Sequence, residues 1–119
     1  MDIIQWIIII GLVVFIISRF LPVKGVENIT VAEAKEKTND KNIQFIDVRT
    51  PNEFNHFHTK PFQNMPLSHL HALAPGLETD KEVVIICQSG MRSKRAGKTL
   101  KKLGFEKICN VKGGMSAWT

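Results

Sequence analysis

The segment Cys87-Gln88-Ser89-Gly90-Met91-Arg92-Ser93 holds the residues best suited to covalent chemistry in this chain. A cysteine reacts as its thiolate, which forms readily where amide dipoles and a guanidinium face the sulfur. A loop this short curls so that several backbone N–H groups point at its centre and make an anion nest. Gly90 supplies the backbone freedom the curl needs. Arg92 adds a permanent charge and a fork of donors for an incoming anion, and Ser89 and Ser93 add hydroxyls. These features predict a Cys87 with a depressed pKa, in a cradle that also suits an anionic persulfide. A lone cysteine at the end of a strand is more often a small buried hydrophobe. The glycine and arginine at these offsets separate the two readings.

The elements around the loop place it. Glu82-Val83-Val84-Ile85-Ile86-Cys87 runs into a continuous apolar stretch, the pattern of a central strand covered on both faces of a parallel sheet. Ser93 to Leu103 is predicted as a helix, with Ala96, Leu100 and Leu103 on one face and Gly104 as the stop. Cys87 therefore falls at a strand's carboxyl end and before a helix's amino end, where ligands bind in open α/β sheets.

Thr30-Val31-Ala32-Glu33 has the form of a capping box and predicts a helix to about Lys37. Asn39 to Asn42 is a turn, and Ile43 to Val48 a strand. Thr50-Pro51-Asn52-Glu53 is a second capping box with proline at the first helical position, which starts a short helix to about Asn55. Asn64 to Leu67 is extended, and Ser68 to Ala74 is a short helix ended by Pro75-Gly76. Lys107 to Val111 is the last strand, and Gly113-Gly114 turns the chain into a final helical turn bearing Trp118. Strands alternating with helices imply an α/β fold, a mainly parallel central sheet flanked by helices.

Ile3 to Ser18 carries no charge. Residues 3–21 predict a membrane-spanning helix, with Trp6 and Phe20 near its two ends. The start Met1-Asp2 lacks the positive region of a cleaved signal, and no small-residue cleavage site follows. Arg19 and Lys24 on the carboxyl side place the rest of the chain in the cytoplasm, as a single-pass protein of the cell membrane. The expected organisation is an anchor over 1–22, a linker over 23–26 and one domain over 27–119.

The chain has 119 residues, net charge +5 and two cysteines. That allows one domain and no disulfide-built scaffold. The basic residues lack the aromatic interleaving of a nucleic-acid surface, so no nucleic-acid partner is expected. His56/His58 and His69/His71 are spaced two apart, which does not bring both rings to one helix face, and no metal site is expected. Cys109 lies in a predicted strand and is expected in the core.

On these residues the chain resembles the rhodanese homology domain, in its small single-domain bacterial form. The resemblance covers nearly all of Glu27 to Trp118. It rests on Asp47-Val48-Arg49 followed by Glu53-Phe54, then His58, Asn64-Met65-Pro66-Leu67, the Cys87 to Ser93 loop, and Gly113-Gly114-Met115 with Trp118. It implies that Cys87 is the nucleophile that carries sulfur. It also implies that the amides of Gln88, Ser89, Gly90, Met91, Arg92 and Ser93 cradle the persulfide, with Arg92 closing the loop and binding substrate. Asp47 and Arg49 would lie near the pocket; as an ion pair they would fix the following turn. Many members have glycine before the histidine and Gly-Ala soon after it. Here those positions are Phe57, Pro61 and Phe62, which alters the neighbouring turn but not the loop.

The resemblance implies a sulfurtransferase that moves sulfane sulfur from thiosulfate or a persulfide to cyanide, a thiol or a protein acceptor, without cofactor. Two alternatives stand beside it. A Cys-based phosphatase uses a similar cradle, but with five residues between Cys and Arg; here four separate Cys87 from Arg92. A membrane-tethered module that only binds or delivers sulfur to a partner needs the same loop.

Overall fold

The computed structural model describes residues 2–20 and 24–118, without the side chains of residues 19 and 20. Five strands form one sheet: β1 (Val26–Ile29), β2 (Gln44–Asp47), β3 (Gln63–Asn64), β4 (Val83–Ile86) and β5 (Ile108–Val111). Their order is β1-β5-β4-β2-β3, and every pairing is parallel. The helices are α1 (Ile3–Phe20), α2 (Val31–Lys37), α3 (Pro51–His56), α4 (Leu70–Leu73), α5 (Met91–Lys102) and α6 (Gly114–Ala117).

The period of two along a strand divides the core. Val83, Ile85 and Cys87 point to the face that holds Leu70, Ala96 and Leu100, from α4 and α5. Val84 and Ile86 point to the other face, with Ala34 of α2, Phe62 and Met115. All four β4 residues are buried, as expected for a strand covered on both sides. Cys87 extends the α4/α5 face by one step, which aims its side chain at the start of α5.

Both predicted capping boxes form. The Thr30 and Thr50 hydroxyls accept from the Glu33 and Glu53 amides, and each glutamate reaches back to its threonine. Elsewhere the structure corrects the sequence reading. Helix α5 starts at Met91, two residues early, on a left-handed Gly90 (φ 100°). The segment after Pro66 is broken into 3-10 turns over Leu67–His69 and Ala74–Gly76 around the single α-turn of α4, so Pro75-Gly76 does not end it. Val26, assigned to the linker, is buried and opens the edge strand β1. Val23 of that linker lies outside the described residues, as do Leu21 and Pro22 of the expected anchor.

The expected anchor is a helix, but not one that meets the requirements of a crossing. Among the described residues no helix is long and apolar enough to cross a membrane. The 18 residues of α1 rise only about 27 Å, against a hydrocarbon core of roughly 30 Å. Its isoleucines, valines and Phe15 are exposed along its length.

Candidate active site

Three parallel strands end side by side. In register, Asp47 at the end of β2 is level with Ile86 at the end of β4, and Ile85 pairs with Asn110 in β5. The segments that leave these ends, Val48-Arg49, the Cys87 loop and Gly113-Gly114, converge at one edge of the sheet.

Cys87 has no exposed surface. The Gly90 N–H donates to its Sγ at 2.9 Å, and the Ser93 Oγ lies 3.4 Å away. The left-handed Gly90 makes the first contact: it caps α5 and turns its own amide back to the sulfur. The first N–H groups of α5 have no partner within the helix, so the helix begins beside Cys87 with a partial positive charge.

Beneath the loop lies a buried polar chain. The Ser93 hydroxyl bonds to the Gly90 carbonyl at 3.0 Å and to Oδ1 of Asn110. Asn110, buried in β5, donates to Oδ1 of Asn28, its register partner in β1, at 3.0 Å. This chain satisfies an amide that would be costly to bury alone. Neither asparagine stands out among the motif residues. The signal was Asn110 itself, a polar residue interrupting the apolar run Ile108-Cys109-Asn110-Val111.

The Gly113-Gly114 turn closes the loop from the other side. The Met115 N–H donates to the Cys87 carbonyl at 2.7 Å, and the Ser116 N–H to the Gln88 carbonyl at 2.9 Å. Gly114 (φ 57°) lies so near the Cys87 and Gln88 backbone that a Cβ would collide with it. The terminal glycine pair thus positions the loop.

Asp47 and Arg49 form a buried ion pair, with Arg49 Nη2 2.7 Å from Asp47 Oδ2 and Nε bonded to the same carboxylate. Arg49 also donates to the Phe57 carbonyl at 2.7 Å and to Oε1 of Gln88 at 3.3 Å. The pair fixes the turn after β2 and also grips the Cys87 loop, which spacing alone does not reveal.

Arg92 is held by Glu53. Its Nη1 and Nη2 meet Oε1 and Oε2 at 2.6 and 2.9 Å. These hydrogen bonds bring the Glu53 carboxyl from its ordinary 4.5 down to about 2, and they raise the Arg92 guanidinium in turn. The sequence assigned Glu53 only to a capping box; it is also the resting partner of the loop arginine.

Phe62 packs edge-on against Phe45 and Trp118, with centroids 5.4 and 5.6 Å apart. Phe57 does not pack: it is 61% exposed and lines a cavity of about 510 Å³ with Arg49, Glu53, His56, Gln88 and Met115. His58 stacks on Phe54 and pairs through Nδ1 with the Phe54 carbonyl at 2.8 Å. Cys109 is buried in β5, and burial pushes its thiol up to about 11. It points to the face opposite Cys87.

The fold and site define a class: a parallel α/β domain with a cysteine-centred loop at the carboxyl edge of its sheet. The chain belongs to the rhodanese-like family, whose sequence model, described as "Rhodanese-like domain", matches residues 30–119. It is 42% identical over 89 residues to the uncharacterized protein YqhL of Bacillus subtilis, covering 75% of this chain and 71% of that one. It is 28% identical to the thiosulfate sulfurtransferase GlpE of Shewanella oneidensis, covering 77% of this chain and 91% of that one. The crystal structure of a rhodanese-like domain protein from Staphylococcus aureus superposes with a TM-score of 0.72 at 29% identity, covering 78% of this chain and 91% of that chain.

Proposed function

We propose that this protein is a sulfurtransferase that carries sulfane sulfur on Cys87. One observation supports this most: a buried sulfur that accepts a backbone amide at 2.9 Å between the end of β4 and the start of α5. An amide aimed at sulfur can hold the negative charge of a persulfide.

With thiosulfate as donor, the Cys87 thiolate attacks the outer sulfur. A Cys–S bond forms, the S–S bond of thiosulfate breaks, and sulfite leaves with the electron pair. The terminal persulfide sulfur then carries the negative charge in the cradle of Gln88 to Ser93. Cyanide carbon or an acceptor thiolate attacks that sulfur, and Cys87 leaves as thiolate. Electrons balance among donor, cysteine and acceptor, so neither step calls on a metal or organic cofactor. The guanidinium of Arg92, held by Glu53 at rest, is the group for which an anionic donor competes. Asp47 and Arg49 hold the loop through Gln88 rather than touching sulfur.

Two covalent half-reactions predict ping-pong kinetics. Rates measured against thiosulfate at several cyanide concentrations should give parallel double-reciprocal lines. Converging lines, or turnover of an aryl phosphate in place of thiosulfate, would remove the reading.

The protein's address is proposed from α1. Its exposed apolar side chains support attachment to a lipid bilayer. Two free cysteines fit a reducing compartment. Together they support a domain on the cytoplasmic face of the cell membrane.

A further inference from the structure

Outside the cysteine loop, the face of α5 that carries Arg92, Arg95, Lys98 and Lys102 borders a groove of about 690 Å³. The rest of the lining mixes apolar Val48, Pro51, Pro66 and Leu67 with the hydroxyls of Thr50, Ser68 and Thr99. The cations recur every three or four residues, so they stand in one row. No acidic residue lines the groove. Of the four, Arg92 is paired, with Glu53; Arg95, Lys98 and Lys102 make no ion pair among the described residues. Like charges at this spacing work against the helix. Arg95, Lys98 and Lys102 are therefore a local cost that no ion pair among the described residues offsets.

We propose that this groove docks an acidic, extended segment of the protein that exchanges sulfur with Cys87. The proposal rests on the sulfurtransferase reading and names its partner's chemistry. From Arg92 to Lys102 the row spans about ten residue steps, about 15 Å of helix. That length matches four or five residues of extended chain at about 3.3 Å each. A cationic row beside a mixed apolar and hydroxyl lining suits a segment in which carboxylates alternate with apolar side chains. A bare inorganic anion would leave Pro51, Pro66 and Leu67 uncovered. One end of the groove is Arg92, a member of the Cys87 loop, so a segment seated there lies beside that loop. A carboxylate at that end competes with Glu53 for the guanidinium.

The test uses the full chain in a nonionic detergent and a fluorescein-labelled peptide of alternating glutamate and leucine. Anisotropy should show saturable binding that weakens with salt, as screened charge pairs do. Arg95→Glu/Lys98→Glu/Lys102→Glu should weaken it by about tenfold or more. Lys24→Glu/Lys60→Glu/Lys112→Glu, the same charge change elsewhere, should leave it nearly intact. Sulfur loading of Cys87 from thiosulfate, read by mass, should be alike in all three proteins, because the substituted residues lie outside the loop. Equal weakening by both triple variants would overturn the proposal, as would no peptide binding at low salt. It would also fall if the groove variant lost binding to phosphatidylglycerol vesicles but kept the peptide, since the groove would then face lipid. Failure of loading in the unsubstituted chain would count against the sulfurtransferase reading alone.

Discussion

Arg92 and Glu53 face each other fork to fork, at 2.6 and 2.9 Å, and so tie the first turn of α5 to the first turn of α3. The Cys87 loop is thereby fastened to the helix that follows β2. Glu53 also closes the capping box of that helix. One carboxylate thus serves a local cap and a long-range contact.

Glu53→Gln should therefore destabilise the domain by about 1 kcal/mol near neutral pH, the scale of a part-exposed ion pair with a cap contribution. The sign of the pH dependence follows from the lowered carboxyl. Its contribution is fully present above the unfolded value near 4.5 and is lost as pH falls toward about 2. Thermal melts of both proteins between pH 2 and 6 should converge at the acid end. A constant gap across that range would show that the ion pair does not carry the difference.

Gly114→Ala should be harsher than its size suggests. The residue sits at φ 57°, and the new methyl would meet the Cys87 and Gln88 backbone. Left-handed strain and collision together should cost about 3 kcal/mol in urea unfolding. The Met115 and Ser116 amide bonds to the loop should loosen, slowing sulfur loading as well. A variant with native stability and native loading would show that the glycine pair does not position the loop.

Most of this architecture was legible because the signals were local. The capping boxes at Thr30 and Thr50, the apolar β4 run and the Gly90 turn each write their structure into a few adjacent residues. Strand β1 was not legible. Val26-Glu27-Asn28-Ile29 buries only its two ends, and it becomes a strand through pairing with β5, eighty residues away in the chain. The site divides the same way. Cys87, Gly90 and Arg92 announce themselves by spacing. The Glu53 contact, the Asn110–Ser93 link and the grip of Arg49 on Gln88 depend on how strands order themselves in the sheet.

Attachment of α1 to a bilayer can be tested by flotation. The full chain should float with vesicles of phosphatidylethanolamine and phosphatidylglycerol. Ile8→Lys/Val14→Lys should reduce the floated fraction about tenfold or more, since a lysine in hydrocarbon costs roughly 3 kcal/mol. If both proteins stay with the vesicles, or neither does, the helix is not the attachment.

The account turns on Cys87 as the sulfur carrier, and intact mass after incubation with thiosulfate tests it most directly. The unsubstituted chain and Cys109→Ser should each gain one sulfur atom, and Cys87→Ser none. The buried Cys109 thiol, raised to about 11, stays protonated and unreactive under these conditions. A sulfur adduct that survives in Cys87→Ser, or that disappears in Cys109→Ser, would contradict the account.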